Sequence, residues 1–491
     1  MPSLDPDGRS VQVGQVTLRT PGLSGFAQPH QPGAPGTRAA EQTTPTLDAA
    51  LSNEHVEPQE TVEIVGAAEV GAAMVPTRST ATGEPAIEVD VPDPGGDWGQ
   101  FVLYADEAGV MSWNFARDVD NRIDTTRGAG GLRTYVIRRR VPPSPEAPGE
   151  SRGLVGAVGR KLLKVLAFPI VDPLIGKVGD YFAGRWEAQK RPYRFRSFTA
   201  ADHAGPDARP LEDADWTTLG EGRALLMVHG TLSRAHAAFG ALPPAFVEAL
   251  HQKYQGRVFA FDHFTLSHDP RQNVEWFLAH LPEHAKLDLD IICHSRGGLV
   301  SRVLAEKQGD LAVGSRKVAV QRIVFVASPN AGTILADAGY VNDFLDAYTN
   351  LLNFVPDNPA LDVIEGIITV AKQVAVGTLE GLEGLQSMRP GGAFLAGLNS
   401  GPKGGSQYFA LAAEFEPVEG GFRDYVSDLV MDKIFKTKND LVVPTDGVYE
   451  TNGSACFPIA DRRAFGPADG IAHTSFFSHA AVQRQIMEWL A

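Results

Sequence analysis

A serine can attack an acyl carbonyl only when a nearby base takes its proton and hydrogen-bond donors meet the charge that forms on the carbonyl oxygen. Two serines lie in settings close to G-x-S-x-G, a pattern loose enough to be met about once by chance in a chain this long. The surroundings must therefore decide. Gly149-Glu150-Ser151-Arg152-Gly153 spells the pattern in full, but it lies within PPSPEAPGESRG, a linker by composition with no strand before it. Cys293-His294-Ser295-Arg296-Gly297 departs at its first position. Yet the apolar run LDLDIIC leads into its serine, and the helical stretch GGLVSRVLAEK leaves it. A nucleophile at a strand-to-helix turn needs small neighbours on both sides and points its hydroxyl out at the end of the sheet. Ser295 is therefore the candidate nucleophile and Ser151 is set aside. Gly297 and Gly298 supply the small residues after the turn. Cys293 stands where glycine is usual and reads as a small buried hydrophobe rather than a reactive thiol.

The remaining parts follow from the order of the chain. The first amide of the outgoing helix, Arg296 N-H, points at the turn and can donate to an oxyanion, with the helix dipole adding to it. The second donor expected is Thr231 N-H, because the strand ALLMV ends in Val228-His229-Gly230-Thr231 and a glycine there lets the loop pass close to the nucleophile. A base should follow the last strand, and His473 in GIAHTSFF stands just before a helix with Val482, Ile486 and Leu490 on one face. The rival His479 reads as a capping-region residue. The acid must lie between the nucleophile strand and the base. Asp440, in Lys438-Asn439-Asp440-Leu441-Val442-Val443-Pro444, is preferred, with Asp446, Asp461 and Asp469 left as alternatives. His229, His294, Asp262 and His263 sit at strand ends, where pocket residues gather in open α/β sheets; a structural role for Asp262 and His263 stays open beside that one.

These segments, MVHGT, ICHSRGGLVSR and VFVASPNAGT, resemble bacterial lipases and esterases of the α/β-hydrolase superfamily over Gly222 to Ala491, a little over half the chain. The resemblance implies a Ser-Asp/Glu-His triad in that chain order, oxyanion donors at the two amides named, and often a helical lid. The Asp-apolar-Val-Pro loop at Asp440 also resembles the place where lipases carry their acid. A narrower resemblance, to uncharacterised bacterial hydrolase-like proteins with a β-rich region ahead of DHFTLS and HSRGG, brings no established substrate.

The elements that must position these groups follow from texture. From about Gly222, apolar strand-length runs alternate with helical patterns, which predicts a mostly parallel sheet covered on both faces. The hydrolase domain is placed at 206–491, with a helical, lid-like insertion at 333–398 whose apolar residues exceed one buried face and suit either a lid over a lipophilic substrate or a helical subdomain closing the core. Residues 1–85 are rich in Pro, Gly, Ala, Thr and Glu and are expected to be flexible. Residues 86–142 alternate like a small β-sandwich, and 143–205 read as a linker and helical connector. Within the connector, Lys161 to Gly179 is too interrupted by charge and proline to span a bilayer and reads as a broken amphipathic helix.

A net charge of -15 argues against a nucleic-acid partner, and the two cysteines, Cys293 and Cys456, are too few for a disulfide scaffold or a zinc site. The first residues lack the pattern of a secretory signal, so a cytoplasmic location is expected, leaderless export aside. The chemistry expected is cleavage of a carboxylic ester of a lipid or other lipophilic acyl compound through an acyl-enzyme, with no metal or cofactor. Transient contact with a membrane surface fits such a substrate. Two alternatives stay open: an acyltransferase or thioesterase using the same triad, and a silent interaction protein that binds a protein partner through its amino-terminal region.

Overall fold

The computed structural model describes residues 1–30, 45–70, 86–106, 109–116, 131–138, 161–172, 176–177, 182–313, 316–354, 360–377, 381–400, 404–417, 437–451 and 457–491. Ser151 and Cys456 lie outside them.

In chain order the elements begin with β1 (Val11–Val13), β2 (Val16–Arg19), β3 (Leu23–Pro29), α1 (Pro45–Asn53), β4 (Glu57–Glu69), β5 (Ala86–Pro92), β6 (Trp98–Ala105), β7 (Met111–Phe115), β8 (Leu132–Arg138) and β9 (Lys161–Pro169). A two-residue hairpin, β10 (Val171–Asp172) with β11 (Gly176–Lys177), leads to α2 (Phe182–Lys190) and β12 (Arg194–Ser197). Then come α3 (Asp213–Leu219), β13 (Arg223–Val228), α4 (Ala235–Phe239), α5 (Pro244–Tyr254), β14 (Val258–Asp262), α6 (Pro270–Ala279), β15 (Asp288–His294), α7 (Gly297–Glu306) and β16 (Ala319–Val326). The chain closes with α8 (Val341–Phe354), α9 (Ala360–Ala375), α10 (Glu383–Gln386), α11 (Ala393–Asn399), β17 (Gln407–Ala413), β18 (Ile459–Phe465) and α12 (Ala480–Trp489).

Seven strands form one sheet in the order β12-β14-β13-β15-β16-β17-β18, all parallel except β12, which runs antiparallel to β14 at the edge. The central strands lack polar alternation because both of their faces are buried. Leu226, Val228, Leu289, Ile291 and Phe325 enter one core, while Leu225, Met227, Ile292, Val324 and Val326 enter the other. Helix α12 seals the second core with Val482, Ile486 and Leu490. The strand-length runs read from the sequence end at β17. β18 escapes that reading because Asp461, Arg462 and Arg463 are exposed, as suits an edge strand.

The amino-terminal part differs from the sequence expectation. Two antiparallel sheets, β1-β2-β5-β8 and β3-β4-β9-β6-β7, share a core of Val16, Leu18, Ile64, Val89, Ile137 and Val165. Of the region 1–85 expected to be flexible, residues 11–13, 16–19, 23–29 and 57–69 are strands and 45–53 a helix. The strands β5 to β8 of 86–142 therefore pack with partners from outside that range. The segment read as a broken helix at 161–179 opens instead as β9, a middle strand. Its Leu163 and Val165 face the sandwich core, and Leu162, Leu166 and Phe168 join the core shared with the helices and the large sheet. Burial on both faces removed the period-2 signal that would have marked it as a strand.

Helices α8 and α9 lie in the insertion at 333–398. Their apolar residues are consumed by packing: α9 runs against α1, α2 and β6, and Phe344, Leu345 and Leu351 of α8 join the same main core. Among the described residues no helix is long and apolar enough to cross a membrane.

Candidate active site

Ser295 occupies the turn between β15 and α7 with φ +50°, a conformation that costs a residue carrying a Cβ and persists only where its surroundings impose it. Its N-H donates to Val326 O at 2.9 Å, and its carbonyl accepts from Gly298 N at 2.9 Å. A Cβ on Gly297 would lie 2.4 Å from Val228 O, and one on Gly298 2.3 Å from Ser328 Oγ, so the close approach of α7 to the ends of β13 and β16 requires both glycines. Cys293 is fully buried, its thiol pushed up to about 12 by burial, and it packs in the core below the turn.

His473 and Asp440 reach Ser295 from two loops far away in sequence. His473 Nε2 lies 3.0 Å from Ser295 Oγ, and His473 Nδ1 lies 2.8 Å from Asp440 Oδ2. Asp440 Oδ1 is taken up by the amides of Val442 and Val443 at 3.0 and 2.7 Å, which turns Oδ2 toward the imidazole. The backbones are tied as well, since His473 N-H donates to Asp440 O at 3.1 Å. His294 Nε2-H donates to His473 O at 2.9 Å, and burial holds its imidazole neutral, down to about 3. The rivals are engaged elsewhere. His479 is the N-cap of α12, Asp446 accepts from Tyr449, Asp461 from Trp489 Nε1 at 2.9 Å, and Asp469 from Gly466 N at 2.9 Å.

The loop after β13 presses on the serine: a Cβ on Gly230 would stand 2.6 Å from Ser295 Cβ. Thr231 and Ser295 line one cavity, and neither the Thr231 nor the Arg296 amide has an acceptor among the described residues. Arg296 turns its side chain away. Its buried guanidinium donates to Gly384 O at 2.8 Å and to His268 O, joining the loop after β14 to α10. The cavity, about 40 Å³, is walled by Ser233, Ala237 and Ala238 on one side and by Tyr348, Leu352 and Val363 on the other. That volume has room for a few water molecules. Sequence reasoning missed Tyr348 and Leu352, because a tyrosine or an aliphatic residue at helical spacing looks like core. Tyr348 is buried, its ring centroid 6.2 Å from that of His473. Burial raises its phenol and the Asp440 charge adds to that, while the neighbouring Ser295 opposes both.

Of the four residues considered for the pocket wall, only His294 lines the cavity. His229 donates from Nδ1 to Gly230 O at 3.0 Å, accepts the His263 amide at Nε2 at 3.1 Å, and stacks on the His263 ring at 4.1 Å. Asp262 accepts from Ala235 N at 2.8 Å and Arg194 at 3.1 Å. These three residues fasten the loops that follow β13 and β14.

A parallel sheet with one antiparallel edge strand, a serine at a strained central strand-to-helix turn, and the chain order Ser295, Asp440, His473 define an α/β-hydrolase fold. The chain belongs to the family described as "Domain of unknown function (DUF7379)", which it matches over residues 190–491. No curated protein matches the chain. Among solved structures it is similar to a lipase from Bacillus licheniformis, at 16% identity over 55% of this chain and 91% of that one, with a TM-score of 0.34. It is also similar to lipase 1 from Pelosinus fermentans, at 12% identity over 55% of this chain and 97% of that one, TM-score 0.35. A third is phospholipase PlaB from Legionella pneumophila, at 16% identity over 46% of this chain and 45% of that one, TM-score 0.32.

Proposed function

We propose that the protein is a serine hydrolase that cleaves a carboxylic ester of a lipophilic acyl compound. Ser295 Oγ attacks the carbonyl while His473 takes its proton, and Asp440 holds the imidazole in the tautomer that leaves Nε2 free to accept it. The amides of Thr231 and Arg296 meet the negative oxygen of the tetrahedral intermediate. The alkoxide departs with the proton from His473, leaving an acyl-enzyme, and water activated by the same histidine releases the acid. The observation that carries this reading is the 3.0 Å contact between Ser295 Oγ and His473 Nε2, with Ser295 in a left-handed turn.

The wall of Ala237, Ala238, Leu352 and Val363 supports a lipophilic acyl group, and α8 with α9 acts as the lid over it. The ion pair of Asp362 at the start of α9 with Arg234 at 2.7 Å, and its contact with His236 Nε2 at 3.0 Å, would hold that lid against α4. The test is labelling by a fluorophosphonate probe together with a panel of lipid and short esters. Wild type should be labelled and cleave esters to the free acid, and Ser295→Ala should do neither, with a loss on the order of 10⁵-fold or more. A wild type that resists the probe would overturn the enzyme reading. Acyl products on an acceptor other than water would replace hydrolysis by acyl transfer.

A further inference from the structure

Helix α8 presents two faces of different chemistry. One carries Tyr348 and Leu352 into the cavity. The other carries Asp346, Thr349, Asn350 and Asn353, a polar stripe at helical spacing that would ordinarily face water. Here it meets the outer edge of the amino-terminal sandwich. Strand β7 ends the five-strand sheet, and its free backbone groups are taken up by the helix side chains. Met111 N donates to Asn350 Oδ1 at 2.8 Å, and Asn350 Nδ2 returns a bond to Met111 O at 2.8 Å. Trp113 N donates to Asp346 Oδ1 and Trp113 Nε1 to Thr349 Oγ1, both at 2.8 Å. Asn353 Nδ2 donates to Gly109 O at 2.7 Å. Asn350 thus pairs with a β-strand much as a neighbouring strand would, and it lies two residues from Tyr348.

We propose, resting on the hydrolase reading above, that the Tyr348 hydroxyl is a catalytic donor to the negative oxygen of the tetrahedral intermediate on Ser295, and that strand β7 positions it there through Asn350. A neutral phenol suits the task, since it donates without surrendering its proton and so adds no charge to the resting site. The two backbone amides come from the hydrolase sheet. The third donor comes from the lid helix and is held in place by the amino-terminal unit, which gives that unit a part in catalysis as a positioning element.

The test uses the full chain, with concentrations of competent sites set by end-point fluorophosphonate titration. Tyr348→Phe keeps the ring and removes only the hydroxyl. It should lower kcat by about a hundredfold to a thousandfold, as loss of one oxyanion donor does, with KM nearly unchanged. Binding of a trifluoromethyl ketone, which forms a tetrahedral adduct on the serine, should weaken by the same factor. Asn350→Ala should lower kcat severalfold in the wild-type background and have almost no further effect in the Tyr348→Phe background. Unchanged kcat in Tyr348→Phe, in an enzyme that is labelled and active, overturns the donor role alone. Equal effects of Asn350→Ala in both backgrounds overturn positioning through Tyr348. A wild type that is not labelled overturns this inference and the hydrolase reading together.

Discussion

Two buried aspartate–histidine pairs stand at the carboxyl end of the large sheet, and they differ in what their imidazoles face. In the Asp440–His473 pair the carboxylate lies 2.8 Å from Nδ1, and Nε2 is left to face a serine hydroxyl on the cavity wall. In the other, Asp262 lies 3.9 Å from His229 Nε2, and that nitrogen already accepts the His263 amide. Residue types and burial are alike. What differs is whether the imidazole has a nitrogen to spare and a space beside it. A histidine with both nitrogens satisfied by backbone fastens loops; a histidine with one nitrogen aimed at a hydroxyl can move a proton.

The sharpest way to break this contrast is to neutralise each carboxylate in turn. Asp440→Asn should preserve the fold and lower kcat on the order of 10⁴-fold, because the amide favours the wrong imidazole tautomer. Asp262→Asn should act through stability instead. It should cost about 3 kcal/mol, as loss of one partner of a buried ion pair does, and lower the Tm while kcat per labelled site stays within a few-fold. If Asp262→Asn lost turnover and kept its Tm, the distinction between the pairs would fail.

Acid sharpens the contrast further. Burial holds His229 at about 4 and His294 at about 3, and it lowers His263 as well, against an ordinary value of 6.5. The unfolded chain therefore binds more protons below 6.5, so their contribution to stability is full above that pH and drains away as pH falls toward 3 to 4. Thermal melts from pH 7 to pH 4 should show a falling Tm. His229→Asn should flatten the slope by up to about 1.4 kcal/mol per pH unit. An unchanged slope would mean that His229 is not buried neutral. The smallest effect concerns the wall: Leu352→Ala should raise kcat/KM for longer acyl chains relative to shorter ones by about tenfold, measured on an ester series.

Much of the candidate site was legible because the candidate nucleophile, base and acid each sit in a local pattern. An apolar strand running into His294-Ser295-Arg296 and a glycine pair, a histidine ahead of the last helix, and an aspartate before Leu441-Val442-Val443 all leave marks within ten residues of themselves. Tyr348 left none, since its meaning depends on β7 lying across the far side of its helix. The sandwich was misread for a related reason. β9 is buried on both faces and so lacks alternation, while β1 and β2 alternate over only three and four residues, too short to mark a strand.

By itself, the sequence determined the central sheet, the turn at Ser295 and the order in which the three polar residues follow one another, because each rests on local periodicity or on the size of adjacent side chains. Only the tertiary structure decided which Asp–His pair keeps a free nitrogen, where the apolar surplus of α8 and α9 goes, and what holds Tyr348 against the serine. The last two depend on groups brought together from more than a hundred residues away, and the first on loops 33 and 34 residues apart, so no local spacing records either kind of contact.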